Sequence, residues 1–278
     1  MLYHYTSIST LEKILESKKI RFNRLDRVND KTESEFFSGI NLAKYIFISC
    51  WTNQDENLPQ WYMYGNECKD VCLKMPEEMF KQKHVLNQIH NGVSVGNLKS
   101  LFYPNELMTS AYMILPICNE WSQFYQPITY VDNIKTIKKD LATVIKNSDS
   151  TTISLPTTEL KKASSYKNKS WEFEKESRFV LYILPFERQS DSSLSDEQKN
   201  ILGLRCAVNS MLNNIPPKIE YFDVELDENV LNNIEIILGP LCSEKDMIRV
   251  NDILHKSSKN YKLNRSKFTG QIRNPERD

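Results

Sequence analysis

The chain has 278 residues, 40% of them hydrophobic, and its 36 Lys and Arg balance 36 Asp and Glu. That apolar content fills a sizeable core, and the zero net charge supplies no overall field for nucleic acid or an anionic membrane, which leaves only local patches for such contacts. No run of about 18 apolar residues occurs, and polar residues from Tyr3 onward break any signal-peptide pattern, so the expectation is a cytoplasmic protein without a membrane partner.

Six cysteines are scattered along a chain too long to need disulfide staples, and they read as free thiols. Cys68 and Cys72 form a lone C-x3-C pair, with His84 and His90 too far apart for the other half of a zinc site, so no metal is expected. The seven glycines form neither G-x-G-x-x-G nor G-x-x-x-x-G-K, which argues against a Rossmann or P-loop enzyme.

The opening stretch LYHYT alternates, with Leu2, His4 and Thr6 on one strand face and Tyr3 and Tyr5 on the other. Ser9 and Glu12 have the spacing of a capping box, and Ile8, Leu11, Ile14 and Leu15 share a helical face, which predicts a helix. KIRFNRLD returns to strand alternation, and VNDKTE has turn chemistry at Asn29 and Asp30. YIFISCWT is apolar on both faces and predicts a central strand. LPQWYMYG predicts a helical turn with Trp61 and Tyr64 on one face, and DVCLKM another strand.

Helices broken by NGVSVGN are expected over 76–110, a strand at PITYVD, a helix around Ile134 to Ile145, then a loop through NSDSTTISLPTTE. In WEFEKESRFVLYILP, alternation puts Glu174, Glu176 and Arg178 in succession on one strand face. ERQSDSSLSDEQKN reads as a solvated loop, KIEYFDVEL and IEIILGP as strands, and SEKDMIRVNDILHK as a helix with Met247, Val250 and Leu254 on one side. No internal repeat divides the chain. The expectation is a single domain, 1–278, with an insertion-like helical region at about 76–120 and a basic tail, 256–278, that is mobile or adds a closing strand near Leu263.

Each candidate residue has a plain structural explanation. Glu174, Glu176 and Arg178 fit a solvated face whose exposed ion pairs contribute about 0–1 kcal/mol. His4 fits a partly buried polar residue, Trp61 and Tyr64 fit core aromatics, and Asn29 and Asp30 fit their turn. The functional reading is a carboxylate in a cleft, with arginine orienting a neighbour or a ligand phosphate.

Six stretches, LYHYTS, RFNRLDRVNDKTE, ISCWT, WYMYG, WEFEKESRFV and IEIILGP, fall in this order across most of the chain and together resemble the bacterial domain of unknown function 2971. That family in turn is similar to the ADP-ribosyltransferases. The resemblance implies an α+β fold of the split β-sandwich type with surrounding helices, and an enzyme that consumes NAD, without metal, to modify a protein or nucleic acid. It further implies a toxin or antiviral-defence setting and a neutralising antitoxin. By the same resemblance His4 and Thr6 contact an NAD ribose, Tyr5 stands where the family has glycine, Trp61 and Tyr64 wall the nicotinamide pocket, and Glu176 stabilises the transition state. Glu174 competes for that last role, and Arg178 holds Glu174 or a phosphate. Two alternatives remain open: a non-catalytic binding module on the same fold, and a nucleic-acid binder or nuclease using the basic stretches Lys161 to Lys169 and Lys256 to Arg277.

Overall fold

The computed structural model describes residues 1–35, 39–86, 88–90, 93–95, 97–139, 141–146, 151–187 and 191–273. The alternating opening forms β1 (Leu2–Thr6), followed by α1 (Ile8–Ser17) and β2 (Lys19–Arg24). Ser7, rather than Ser9, caps α1 and accepts from the Thr10 amide at 3.1 Å, so the expected capping box with Glu12 is not the one used. The apolar run gives β3 (Ile46–Thr52), then α2 (Leu58–Tyr64) and β4 (Val71–Met75). Further along lie β5 (Tyr112–Ile114), β6 (Tyr125–Pro127), β7 (Thr129–Val131), α3 (Thr157–Ser165), β8 (Tyr166–Asn168) and β9 (Glu176–Pro185). The chain ends in α4 (Asp196–Leu212), β10 (Tyr221–Glu225), β11 (Glu235–Leu238), α5 (Glu244–Ser257) and β12 (Lys262–Arg265).

The architecture is mixed α+β. Among the described residues, ten strands join one large sheet in the order β6-β9-β3-β1-β4-β11-β12, with β2 and β10 branching from β3 and β5 from the end of β9. The ladder between β3 and β9 is its spine, running from Glu176 opposite Thr52 to Tyr182 opposite Ile46. The other edge of β3 is divided. Ile48 and Phe47 pair with β2, whereas Thr52 pairs with Tyr3 of β1. Between those pairings the sheet splits.

Strand alternation sorts the core into layers. Leu2, Phe22, Phe47, Trp51, Phe179 and Leu181 face one way and pack with α1 and α5. On the opposite face, Ile46, Ile48, Val180 and Tyr182 pack with Leu160 and Ala163 of α3 and Met211 of α4. A separate cluster on the far side of the split gathers Tyr3, Tyr5, Trp61, Cys72 and Ile237. Two apolar clusters therefore flank a gap in the sheet.

Several local expectations give way to tertiary pairing. Among its described residues, the region expected to be helical, 76–120, contains short antiparallel pairs, Lys83–Val85 with Leu98–Ser100 among them, and only single helical turns at Pro104–Leu107 and Pro116–Asn119. The helix expected to reach Ile145 stops at Ile137, and the β-branched Thr143–Lys146 pairs with Thr151–Ser154. The stretch read as a loop continues into α3 at Thr157. The stretch read as a solvated loop contains the start of α4, where Ser195 and Gln198 form a capping box. β12 pairs in parallel with β11, and beyond it the Lys267 amide donates to Glu56 Oε1 at 2.9 Å. The basic tail is thus docked as far as these contacts reach, and 274–278 lie outside the described residues.

After β11 the backbone lies directly on the β4 entry loop. A Cβ at Gly239 would stand 2.3 Å from the Cys68 carbonyl oxygen and 2.8 Å from that of Asp70. Because these are backbone atoms, Gly239→Ala is expected to cost about 1–3 kcal/mol, the usual penalty for overpacking. Urea denaturation checks this: the midpoint falls with the slope unchanged.

Candidate active site

A cavity of about 470 Å³ opens at the split in the sheet. Its position follows from the alternation in the two spine strands. Along β3, Ile46 and Ile48 enter an apolar cluster, and Cys50 and Thr52, next on the same face, line the cavity. Along β9, Tyr182 and Val180 are apolar, whereas Arg178 and Glu176 are the corresponding cavity residues. The sheet changes from apolar to charged at the point where β1 and β2 diverge.

His4 bridges that divergence. Between the β2 and β1 pairings no strand partner covers this stretch of β3, and the His4 Nδ1 hydrogen donates to the Cys50 carbonyl oxygen at 2.8 Å. Its ring also lies on Trp51, with centroids 4.9 Å apart. Burial pushes the imidazole below its ordinary value, against that hydrogen bond, so His4 is neutral at pH 7. With Nδ1 protonated, Nε2 is an acceptor.

Glu174 and Glu176 reach the cavity by different routes. Glu176 begins β9, but Glu174 ends a 3-10 helix, Lys169–Glu174, so the expected unbroken strand face carries only Glu176 and Arg178. Between the two carboxylates Lys175 is left-handed, with φ 44°, a conformation that costs an L-residue about 1–2 kcal/mol. Its carbonyl accepts from Thr52 Oγ1 at 3.0 Å, and the Glu174 carbonyl accepts from Gln60 Nε2 at 3.0 Å. This turn lets both side chains meet Lys167, which the parallel pair β7 and β8 carries to the same place.

The result is a buried charge cluster. Arg178 donates through Nε to Glu176 Oε1 at 2.5 Å and through Nη2 to Oε2 at 3.1 Å. Lys167 Nζ donates to Glu176 Oε2 at 2.9 Å and also to Glu174 Oε2. The Tyr64 hydroxyl donates to Glu174 Oε1 at 2.6 Å, and the Tyr130 hydroxyl accepts from the Glu176 amide at 2.8 Å. A third carboxylate, Glu33, places Oε2 2.6 Å from Arg178 Nη1 and Oε1 3.4 Å from Lys167 Nζ. Lys138 Nζ donates to the Glu33 carbonyl at 2.5 Å, and burial, with the Arg178 charge, pushes its ammonium down to about 8 against the pull of Glu33 and Asp30.

The two neighbouring carboxylates are driven apart. Burial alone would raise Glu176, but Arg178 and Lys167 overcome it and hold the carboxyl well below the usual carboxylate range. Burial, aided by the charge of Glu176, raises Glu174 despite Lys167 and Tyr64.

Of the residues singled out in the sequence, His4, Tyr5, Tyr64, Glu174, Glu176 and Arg178 line this one cavity. Tyr5 is held by its hydroxyl, which accepts from the Asn57 amide at 2.9 Å. Trp61 and Thr6 are not among the lining residues. Trp61 has no exposed surface, packs edge-on to Tyr5 and donates to Glu56, whereas Thr6 pairs opposite Val71 in the β1–β4 ladder. The paired partners of Arg178 are Glu176 and Glu33, not Glu174. Sequence reasoning missed Lys167 and Glu33. Lys167 stood in a stretch read as basic surface, and Glu33 followed a turn that already explained Asn29 and Asp30. The only available signal for Glu33 was its place at the end of RFNRLDRVNDKTE.

Four residues of the basic stretches are engaged in ion pairs. Lys162 pairs with Glu159, Lys167 with the buried carboxylates, Arg265 with Glu244 and Lys267 with Asp55. All six cysteines are free, and among the described residues no helix is long and apolar enough to cross a membrane. Comparison with family models, curated proteins and solved structures finds no match to the chain, so the resemblance rests on its six stretches.

Removing the charge of Glu176 leaves Arg178 and Lys167 short of a buried partner, so Glu176→Gln is expected to cost about 3–5 kcal/mol of stability at pH 7. A depressed native value makes this contribution complete above the unfolded glutamate value of about 4.3 and lost as pH falls toward the native value. Denaturation of both proteins from pH 7 downward should show the gap narrowing below about pH 4.3.

Proposed function

We propose that the chain is an NAD-dependent ADP-ribosyltransferase acting on a macromolecule. The observation that supports this most is the convergence of His4, Tyr64, Glu174 and Glu176, which are widely separated in the sequence, on one cavity at a split in the sheet. The residues suit NAD as a substrate. Tyr64 offers an aromatic face to a cationic ring, and His4 Nε2 accepts from a sugar hydroxyl. Arg21 and Arg27 also line the cavity, and their exposed pairs with Asp223 and Glu220 contribute little and are cheaply exchanged for a diphosphate.

Cleavage of the nicotinamide–ribose bond leaves its electron pair on the ring nitrogen and positive charge on the sugar. Glu176, ionised at neutral pH and fixed by Arg178 and Lys167, opposes that charge without having to reorganise. Glu174, with its raised affinity for a proton, takes the proton released by the attacking acceptor group. Tyr64 orients Glu174 through the hydrogen bond from its hydroxyl.

A second reading, a binding module without chemistry, draws support from the same contacts, because both oxygens of Glu176 already accept from buried cations.

The deciding experiment incubates purified protein in lysate with NAD labelled on the adenosine, and follows NAD and label in protein, RNA and DNA. Wild type should consume NAD and transfer label. Glu176→Gln should lose about 10²–10³-fold, the range seen when one electrostatic stabiliser is removed, and His4→Ala should lose activity while keeping the fold. Intact NAD with wild-type protein overturns the transferase reading in favour of the binding module.

A further inference from the structure

Glu33 of the charge cluster has no exposed surface, and it comes from a short 3-10 turn, Lys31–Ser34. That turn is tightly specified. Asp30 caps it, accepting through Oδ1 from the Thr32 amide at 2.9 Å and the Thr32 hydroxyl at 2.7 Å, and the Glu33 amide donates back to the Asp30 carbonyl at 3.1 Å. The Glu33 carbonyl is held by Lys138. Its backbone is thereby fixed from both sides before the carboxylate meets anything.

The carboxylate then spans the two cations that hold Glu176. A guanidinium is a rigid plane, so anchoring one nitrogen sets the direction of the others. Arg178 Nη1 donates to the Ser164 carbonyl at 3.0 Å and is drawn to Glu33 Oε2 as an ion pair at 2.6 Å, a charge contact in which the Glu33 carboxylate accepts no hydrogen bond, while Nε and Nη2 are aimed at Glu176. Lys167 is drawn by Glu33 Oε1 at 3.4 Å while it bonds Glu174 and Glu176. Charge works in the same direction. Without Glu33, Lys167 and Arg178 would be opposed by Glu174 and Glu176 alone and the nearby Lys138 by Asp30, so more of the negative field of Glu176 toward the cavity would be cancelled.

We infer that Glu33 is a positioning residue that fixes the carboxylate of Glu176 through Arg178 and Lys167. Its effect on turnover rests on the transferase reading, whereas its effect on geometry does not.

The test compares wild type with Glu33→Gln, which keeps shape and removes charge, and Glu33→Asp, which keeps charge with a shorter reach. Crystal structures of both variants are determined, and NAD consumption is measured well below their melting temperatures. In Glu33→Gln the Glu176 carboxylate and the Arg178 plane should be rotated from their wild-type positions. kcat should fall about 10–100-fold, as is usual when a group orienting a site residue is lost, with KM for NAD unchanged. Glu33→Asp should recover part of kcat, and it supplies both readouts if the glutamine variant does not fold. An unmoved Glu176 overturns the inference whatever happens to the rate. If the wild type consumes no NAD, the transferase reading falls, and the position of Glu176 in the variants still decides the role of Glu33.

Discussion

The structure depends on one arrangement of buried charge: Glu33, Glu174 and Glu176 around Lys167 and Arg178, all at most a few per cent exposed. Removing such groups from water costs several kcal/mol per ion, and their attraction offsets this only when every group is closely paired. Apolar side chains of similar volume would hold the sheet at least as well. The cluster is therefore poorly explained as a source of stability, particularly beside two apolar clusters that already pack the same face. What an apolar replacement cannot do is present a fixed carboxylate to a cavity. That asymmetry connects the cluster to function.

The split in the sheet and the cluster are two consequences of the same strands. β3 is paired along one edge by β9, but β1 and β2 share its other edge and leave a gap between them. A gap in a sheet exposes backbone groups that need partners. His4 satisfies one of them at Cys50, and in doing so fixes its own tautomer and brings its ring to the cavity. The strained turn at Lys175 has the corresponding effect at the start of β9, since it allows residues two apart to converge on Lys167 without both lying on the strand. A side chain filling a backbone vacancy and a backbone bent to aim two side chains together define the site.

Much of this was legible locally, and the remainder fails for a physical reason. Most strands of the large sheet are alternating or continuously apolar segments, and α1, α2 and α5 have clear periodicity; β5, inside the stretch expected to be helical, and β6, ahead of the expected strand PITYVD, are too short to carry a pattern. The pattern around Ile134 was helical too, yet Leu141 enters the core from an irregular segment and Lys138 is held by Glu33, so tertiary contacts end the helix. α4 was obscured by polar composition although its capping box was present at Ser195 and Gln198. For the site, His4, Tyr64, Glu174, Glu176 and Arg178 could be picked out as chemistry-bearing residues. The partners Lys167 and Glu33 could not, because an ion pair between residues as far apart as Glu33 and Arg178 leaves no periodicity in either local stretch. Trp61 shows the converse: a large aromatic with a polar tip satisfies that tip internally, on Glu56, and becomes core.

The division between Glu174 and Glu176 follows from environment rather than residue type. Both contact Lys167, but Arg178 closes on Glu176 alone, while the second partner of Glu174 is the neutral hydroxyl of Tyr64. One guanidinium is enough to separate them, because in a buried site a second full positive charge outweighs a neutral donor. The carboxylate with two cations remains an anion throughout the neutral range, and the carboxylate with one cation and an anionic neighbour is the one able to accept a proton. A pair of like groups pushed apart in this way carries the separate tasks of opposing positive charge and moving a proton. The proposed transfer needs both, and it needs them side by side.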